Sequence, residues 1–165
     1  MIKIYNYGEV ENSEIFARQN TEENVSKAVS EIIAEVVKNG DKALVSYAEK
    51  FDGAKLAALE VTDAEIKEAF GAVEPAFIAV LEEAAANIKH FHEKQVRSSF
   101  VINDKDGVVM GQKVMPIEKV GIYVPGGTAA YPSTVLMDSI PAKIAGCAEI
   151  VMVTPPLASG KVNPV

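Results

Sequence analysis

The sequence has a single cysteine, Cys147, among 165 residues. It therefore holds no internal disulfide and no metal site built from cysteines. Histidine is nearly as scarce, with only His90 and His92. Positive charge is also short, with 16 basic residues against 23 acidic ones and a formal net charge of −7. A general nucleic-acid binder carries the opposite balance, which argues against that class but leaves room for a local site for a small phosphorylated ligand. No apolar run approaches the roughly 18 residues of a membrane span. Met1 to Tyr7 lacks the basic segment and apolar core of a signal peptide. Internal repeats and low-complexity tracts are missing too. What is present, 48% hydrophobic and 24% charged residues, suits one ordinary domain with a real core. The expected protein is soluble and cytoplasmic, with no nucleic-acid or membrane partner.

The first half reads as helical. Met1 to Tyr7 is a short strand or an extended arm. Thr21 can cap a helix with Glu22 and Glu23 in its first turn and Gly40 after its end. Val25, Ala28, Val29, Ile32, Ile33, Val36 and Val37 form its apolar stripe. Asp41 can cap a second helix that ends near Phe51-Asp52-Gly53. Leu59 to Val61 is a candidate strand. Thr62 and Glu65 have the spacing of a capping box, which starts a third helix. Pro75 suits a first helical position, and the helix it opens runs to about Arg97. Phe77, Val80, Leu81, Ala84, Ile88 and Phe91 form its expected buried stripe, and Ala84 to Ala86 predict close contact with a neighbour.

The pattern changes after Ser98. Ser99 to Asn103 and Val108 to Val114 read as two strands joined by the turn Asp104-Lys105-Asp106-Gly107, a hairpin near residues 99–115. Val120 to Val124 is an apolar run of strand length, followed by the tight loop Pro125-Gly126-Gly127. Ser133 can cap a helix over roughly Thr134 to Ala145, with a kink or break at Pro141. Glu149 to Thr154 is a second apolar strand, and a polar tail, Ala158 to Val165, follows. Strand, glycine loop, helix, strand is the βαβ unit of a parallel sheet. The fold class is α/β: a mostly helical part over residues 1–117, then the truncated opening βαβ of an incomplete Rossmann-like domain over residues 118–165. A lone parallel pair leaves edges unpaired and one face poorly covered.

The glycine loop carries the sharpest chemical signal. A loop between a strand's C-terminal end and a helix presents backbone N–H groups to an anion, and glycine permits close approach. Gly126 and Gly127 are so placed, with hydroxyls of Ser133 and Thr134 nearby; the loop serves a ligand or is simply a tight turn. It matches neither the dinucleotide fingerprint of three spaced glycines nor the triphosphate loop with lysine. Tyr123, at the strand's end, borders the crevice of an open α/β sheet and either packs on a nucleotide or fills a half-buried strand position. Tyr131, inside the loop, is a cover or a contact. His90 and His92 are two apart on a helix and point roughly 200° away from each other, so they cannot share a metal. Cys147 is expected to pack as a small apolar residue. The carboxylates fall on polar helix faces, and no nucleophile–histidine–acid set is evident.

VGIYVPGGTAAYPSTVLMDSIPAKI, from Val120, continues as AGCAEIVMVTPP and closely resembles histidinol dehydrogenase. GDKALVSYAEKFDG from Gly40 and AAANIKHFHEKQ from Ala84 resemble the same family's earlier helices, and Gly111 to Pro116 leads into the glycine block as it does there. The match is collinear from about residue 20 to residue 156. The resemblance implies oxidation of L-histidinol through L-histidinaldehyde to L-histidine, with two NAD+ reduced in succession. It also implies zinc, a homodimer with shared active sites, and two Rossmann-like domains on incomplete sheets. The family's tyrosine contact to NAD matches Tyr123, with Gly126 and Gly127 as further cofactor-binding candidates. The family's zinc ligands and its Glu-His acid/base pair have no counterpart here, so no catalytic and no metal residue is carried over. The expectation is an N-terminal fragment, about the first third to two fifths of the family chain, inactive alone. The competing readings are an independent small nucleotide-binding module, which would bind nucleotide as a stable monomer, and a helical interaction or scaffold domain, which would bind a partner and ignore nucleotide.

Overall fold

A computed structural model describes residues 4–16, 25–126 and 129–165. The chain divides into two compact units, Met1–Gly40 and Asp41–Val165. The first unit holds a single helical turn, α1 (Asn12–Ile15), and the longer α2 (Ser26–Asn39). The stripe expected over Val25 to Val37 does form a helix, and Gly40 closes it with a φ of 55°. Within this unit Ile32 and Val36 are partly covered, while Val29, Ile33 and Val37 stay exposed. Thr21, Glu22 and Glu23, the expected cap and first turn, lie outside the described residues. Ile4 to Tyr7 form no strand.

The second unit opens with α3 (Asp41–Tyr47), which widens into a π-helical turn over Ala48–Asp52 and stops at Gly53, φ 67°. The Tyr47 and Phe51 rings stack 5.4 Å apart across that turn. Leu59 to Val61 is irregular rather than a strand: so short a stretch, broken by Glu60, meets no partner strand, and Leu59 and Val61 remain exposed. The Thr62 capping box is present and opens α4 (Asp63–Ala72). The Glu65 N–H donates to Thr62 Oγ1 at 3.3 Å, and the Thr62 N–H donates to Glu65 Oε2 at 2.9 Å. Helix α5 (Pro75–His92) begins at its proline as expected and ends in a 3-10 turn, Glu93–Gln95.

The covered face of α5 differs from the expected stripe. Leu81, Ala84 and Ile88 are partly buried as expected and Ile78, Ala85 and His92 are partly buried beside them, whereas Phe77, Val80 and Phe91 are exposed. The apolar surface of α5 is wider than one neighbour can cover. That neighbour is α6 (Pro132–Ala145), which packs against it. Ala85 and Ala86 face Ile140 and Ile144 across a shared cleft, as the small residues predicted.

The hairpin consists of antiparallel β1 (Phe100–Lys105) and β2 (Val108–Gln112), with Val101 opposite Gly111. Its first strand runs to Lys105, so the turn tightens to Asp106-Gly107, with Gly107 at φ 76°. The Val114 N–H donates to Ser99 Oγ at 2.9 Å and closes the open end. The second sheet pairs β3 (Lys119–Tyr123) with β4 (Glu149–Val153) in parallel, with α6 between them in sequence. This is the βαβ unit expected.

Two details of α6 depart from expectation. It starts at Pro132, because proline's fixed φ suits the first helical position, so Ser133 sits inside the helix and Tyr131 occupies the cap position. It also runs unbroken through Pro141. The carbonyl deprived of a donor belongs to Met137, which is half exposed, so water can satisfy it. Gly146, φ 90°, ends the helix.

The core expected from composition is small. Among the described residues the buried hydrophobic ones are Ala43, Ala48, Ala54, Ile122 and Val124. Beyond β4 the expected polar tail is folded back: the Leu157 N–H donates to the Lys161 carbonyl at 2.8 Å, and Lys161 Nζ meets both carboxylate oxygens of Glu68 on α4 at 2.7 and 2.6 Å.

Candidate functional site at the strand ends of the parallel pair

Alternation along β3 decides where Tyr123 points. Ile122 and Val124 are buried, so Tyr123 between them faces the opposite side and is 63% exposed. It lies opposite Val153, the last residue of β4. The Val124 N–H donates to the Val153 carbonyl at 2.9 Å and carries the pairing one step past the strand. The side chain expected to border a crevice is thus held by a paired backbone at the C-terminal end of a parallel strand. Ligands of open α/β sheets collect at such ends.

The neighbouring strand supplies the other wall. A Cβ on Gly126 would lie 3.2 Å from Pro155 Cδ and 3.4 Å from Thr154 Oγ1. The loop after β3 therefore runs close against the segment after β4, which a side chain at position 126 would have to push aside by a few tenths of an ångström, and Gly126 serves this close approach rather than an unusual φ. Gly127 lies outside the described residues. Tyr131 is exposed, and its carbonyl accepts the Thr134 N–H at 3.0 Å. Ser133 is exposed in the first turn of α6, and Thr134 is half-buried. An aromatic face, a phenol, a glycine backbone and the half-buried Thr154 hydroxyl thus share one end of the sheet. Thr154 and Pro155 escaped the sequence reading. The signal that could have found them is the parallel pairing, which puts the ends of β3 and β4 side by side.

The remaining candidates separate from this place. His90 is exposed on α5, while His92 is half-buried with its Nδ1 2.6 Å from Gln95 Oε1. Cys147 is half-buried just past α6, and its N–H donates to the Ala142 carbonyl at 3.2 Å. Among the described residues no three His, Cys, Asp or Glu side chains gather as a metal site. No described helix is long and apolar enough to cross a membrane. Three open clefts lie elsewhere: one beside Leu56 to Glu60, one of about 440 Å³ between His92, Arg97 and Pro141, and one between α5 and α6. Tyr123 and Gly126 line none of these three.

Comparison with known proteins gives one consistent answer. The family model described as histidinol dehydrogenase matches residues 16–165. The histidinol dehydrogenase of Clostridium acetobutylicum is 52% identical over 147 residues, which is 89% of this chain and 34% of that one. That of Listeria monocytogenes is 50% identical over 154 residues, 92% of this chain and 36% of that one. The crystal structure of histidinol dehydrogenase from Elizabethkingia anophelis superposes with a TM-score of 0.84 at 39% identity, over 90% of this chain and 34% of that one. The chain spans about a third of the length of the relatives it matches.

Proposed function

The chain belongs to the histidinol dehydrogenase family, and we propose that it forms the opening part of an NAD-dependent oxidoreductase of histidine biosynthesis. The whole enzyme would oxidise L-histidinol through L-histidinaldehyde to L-histidine in the cytoplasm, as a homodimer, with reduction of two NAD+. Within it, residues 118–165 would begin a second Rossmann-like domain and residues 1–117 the first.

The observation that carries the cofactor reading is the position of Tyr123, exposed at the C-terminal end of β3 beside the Gly126–Thr154 approach. Those residues fit a dinucleotide. The Tyr123 ring offers a flat apolar face for a base or ribose, and its hydroxyl can hydrogen-bond a ribose. Gly126 lets a ligand reach the backbone, and Gly127 would extend the same surface. Bound NAD+ supplies the hydride acceptor. Tyr123 and Gly126 would orient it and exclude water from its inner side; neither moves a proton. The zinc implied by the resemblance finds no donor set among the described residues, so no role toward it falls to them.

The test is Tyr123→Ala in a full-length family chain carrying this segment. Loss of ring contact and one hydrogen bond is worth about 1–3 kcal/mol, or roughly 5–150-fold in the KM for NAD+. The KM for histidinol and the zinc content should be unchanged. A lower melting temperature with wild-type NAD+ affinity would make Tyr123 a packing residue and sink the reading.

A further inference from the structure

A second concave surface lies at the other end of the βαβ unit. Tyr123 ends β3, whereas Pro116 shortly precedes its start at Lys119. The strand is five residues long, so roughly 17 Å of backbone separates the two places. Between the end of α5 and the end of α6, His92, Gln95 and Arg97 line a cleft of about 440 Å³ together with Val114 to Pro116, Pro141 and Ile144.

Volume and lining both suit a small molecule. Such sites span roughly 300–1,000 Å³ and are mostly apolar, with a few polar groups that fix orientation. Here those polar groups favour an anion. No carboxylate lines the cleft, in a chain whose formal net charge is −7. Among the described residues Arg97 makes no ion pair, and the nearby Glu93 is turned to Lys89 at 3.8 Å. His92 Nδ1 lies 2.6 Å from Gln95 Oε1. An amide oxygen only accepts, so the imidazole is the donor and the Gln95 amide nitrogen keeps its own donors for a ligand.

The walls are fixed before anything binds. The Val114 N–H donates to Ser99 Oγ at 2.9 Å. A Cβ on Gly146 would touch the Pro116 ring at 3.7 Å, so Pro116 rests on the end of α6. The N–H groups of Ala148 and Glu149 both donate to the Glu118 carbonyl, at 3.0 and 3.1 Å, and tie the start of β3 to the segment after α6. Preformed walls spare a ligand the cost of ordering them. Val96 and Met115, also in the lining, are 60% and 63% exposed, which leaves apolar surface for a ligand to cover.

We propose that this cleft binds a small carboxylate with a flat apolar body. The Arg97 guanidinium takes the carboxylate through paired N–H bonds, with the Gln95 amide as a further donor. The body lies against the Pro116 and Pro141 rings. A single guanidinium balances the one charge of a carboxylate and leaves a phosphate dianion half neutralised. The site does not rest on the cofactor reading, so either can fail alone.

Titration of 3-phenylpropionate into this chain, followed by two-dimensional NMR of the backbone amides, tests it. The expected Kd is roughly 0.1–1 mM, from the efficiency of small ligands, with the largest changes at Gln95, Arg97, Met115 and Ala145. The alcohol 3-phenylpropanol, of the same shape without the charge, should bind at least about 10-fold more weakly. Arg97→Gln should weaken the carboxylate by a similar factor at an unchanged melting temperature, since Arg97 is exposed. Equal affinity for acid and alcohol, or binding untouched by Arg97→Gln, would overturn the proposal. So would no binding by about 10 mM, or changes centred away from the cleft. The same titration in a full-length family chain carrying this segment should give the same Kd. Loss of binding there would mean that the rest of that chain fills the cleft, and would overturn the proposal as well.

Discussion

The β1–β2 hairpin and the β3–β4 pair are each two strands of five or six residues, and each follows from a plain local pattern. Their surroundings differ. In the hairpin Val101 is 72% and Val109 75% exposed, and only Val108 is partly covered. In the parallel pair Ile122 and Val124 are buried, because α6 must return across the sheet for the second strand to pair in parallel. A hairpin closes with two residues of turn and brings nothing with it. A parallel connection carries its own cover for one face. Only the second arrangement fixes a side chain such as Tyr123 against a packed background, and it does so at the strand ends where backbone groups are free.

The largest expected effect divides the parallel pair's architecture from its chemistry. These 165 residues, pure and with or without added zinc, should form no NADH from histidinol. The proposed cofactor edge is the one piece of the site these residues would supply, and no metal donor set gathers among the described residues. Turnover above a heat-killed control, in a preparation free of host enzyme, would break the separation.

Three glycines sharpen the comparison by rank. A Cβ at Gly111 in the hairpin would lie 2.6 Å from the Phe100 carbonyl oxygen, a backbone atom, whereas Gly126 faces 3.2 Å and Gly121 open space. Gly111→Ala should cost about 1–3 kcal/mol and abolish exchange protection across β1–β2. Gly126→Ala should cost about 1 kcal/mol or less by pushing the Thr154–Pro155 segment a few tenths of an ångström. Gly121→Ala should stabilise this chain by about 0.5 kcal/mol through the backbone entropy that alanine lacks in the unfolded state. Amide exchange and thermal melting on the three variants check the order; a reversed order would mean that the two sheets differ in something other than local approach.

The smallest expected effect lies outside both sheets, at the α4 cap. The Glu65 carboxyl is held below its ordinary value of 4.5, chiefly by the Thr62 N–H and then by the Thr62 hydroxyl. A lowered folded pKa means the cap is fully effective above the ordinary value and is lost as pH falls through the lowered one. Backbone shifts of Thr62 and Glu65 should therefore move together on acidification, ahead of any change at Tyr123. Shifts that stay constant through that range would remove the carboxylate from the cap.

What was legible in the sequence was local. Thr62 and Glu65 are three residues apart and meet as a capping box. Pro75 opens α5, and the run from Val120 to Thr154 spells out strand, loop, helix and strand. What was not legible depends on which surfaces meet. Periodicity marked Leu81, Ala84 and Ile88, which are partly covered, but could not tell that Ile78, Ala85 and His92 would be covered beside them while Phe77, Val80 and Phe91 stay open. Pairing of Lys161 with Glu68 joins residues far apart in sequence, and no spacing rule reaches that far. At the candidate site, Tyr123 and Gly126 were legible because they lie on one strand–loop unit. Thr154 and Pro155 were not, because they enter only through the neighbouring strand.

The central claim is that the paired strand ends around Tyr123 form the cofactor edge. A crystal structure of a full-length family chain carrying this segment, with NAD+ bound, tests it most directly. The account predicts the dinucleotide in contact, within about 4 Å, with the Tyr123 ring and the Gly126 backbone, on the side of the Thr154 hydroxyl. A dinucleotide bound elsewhere, with Tyr123 covered by protein instead, would contradict it.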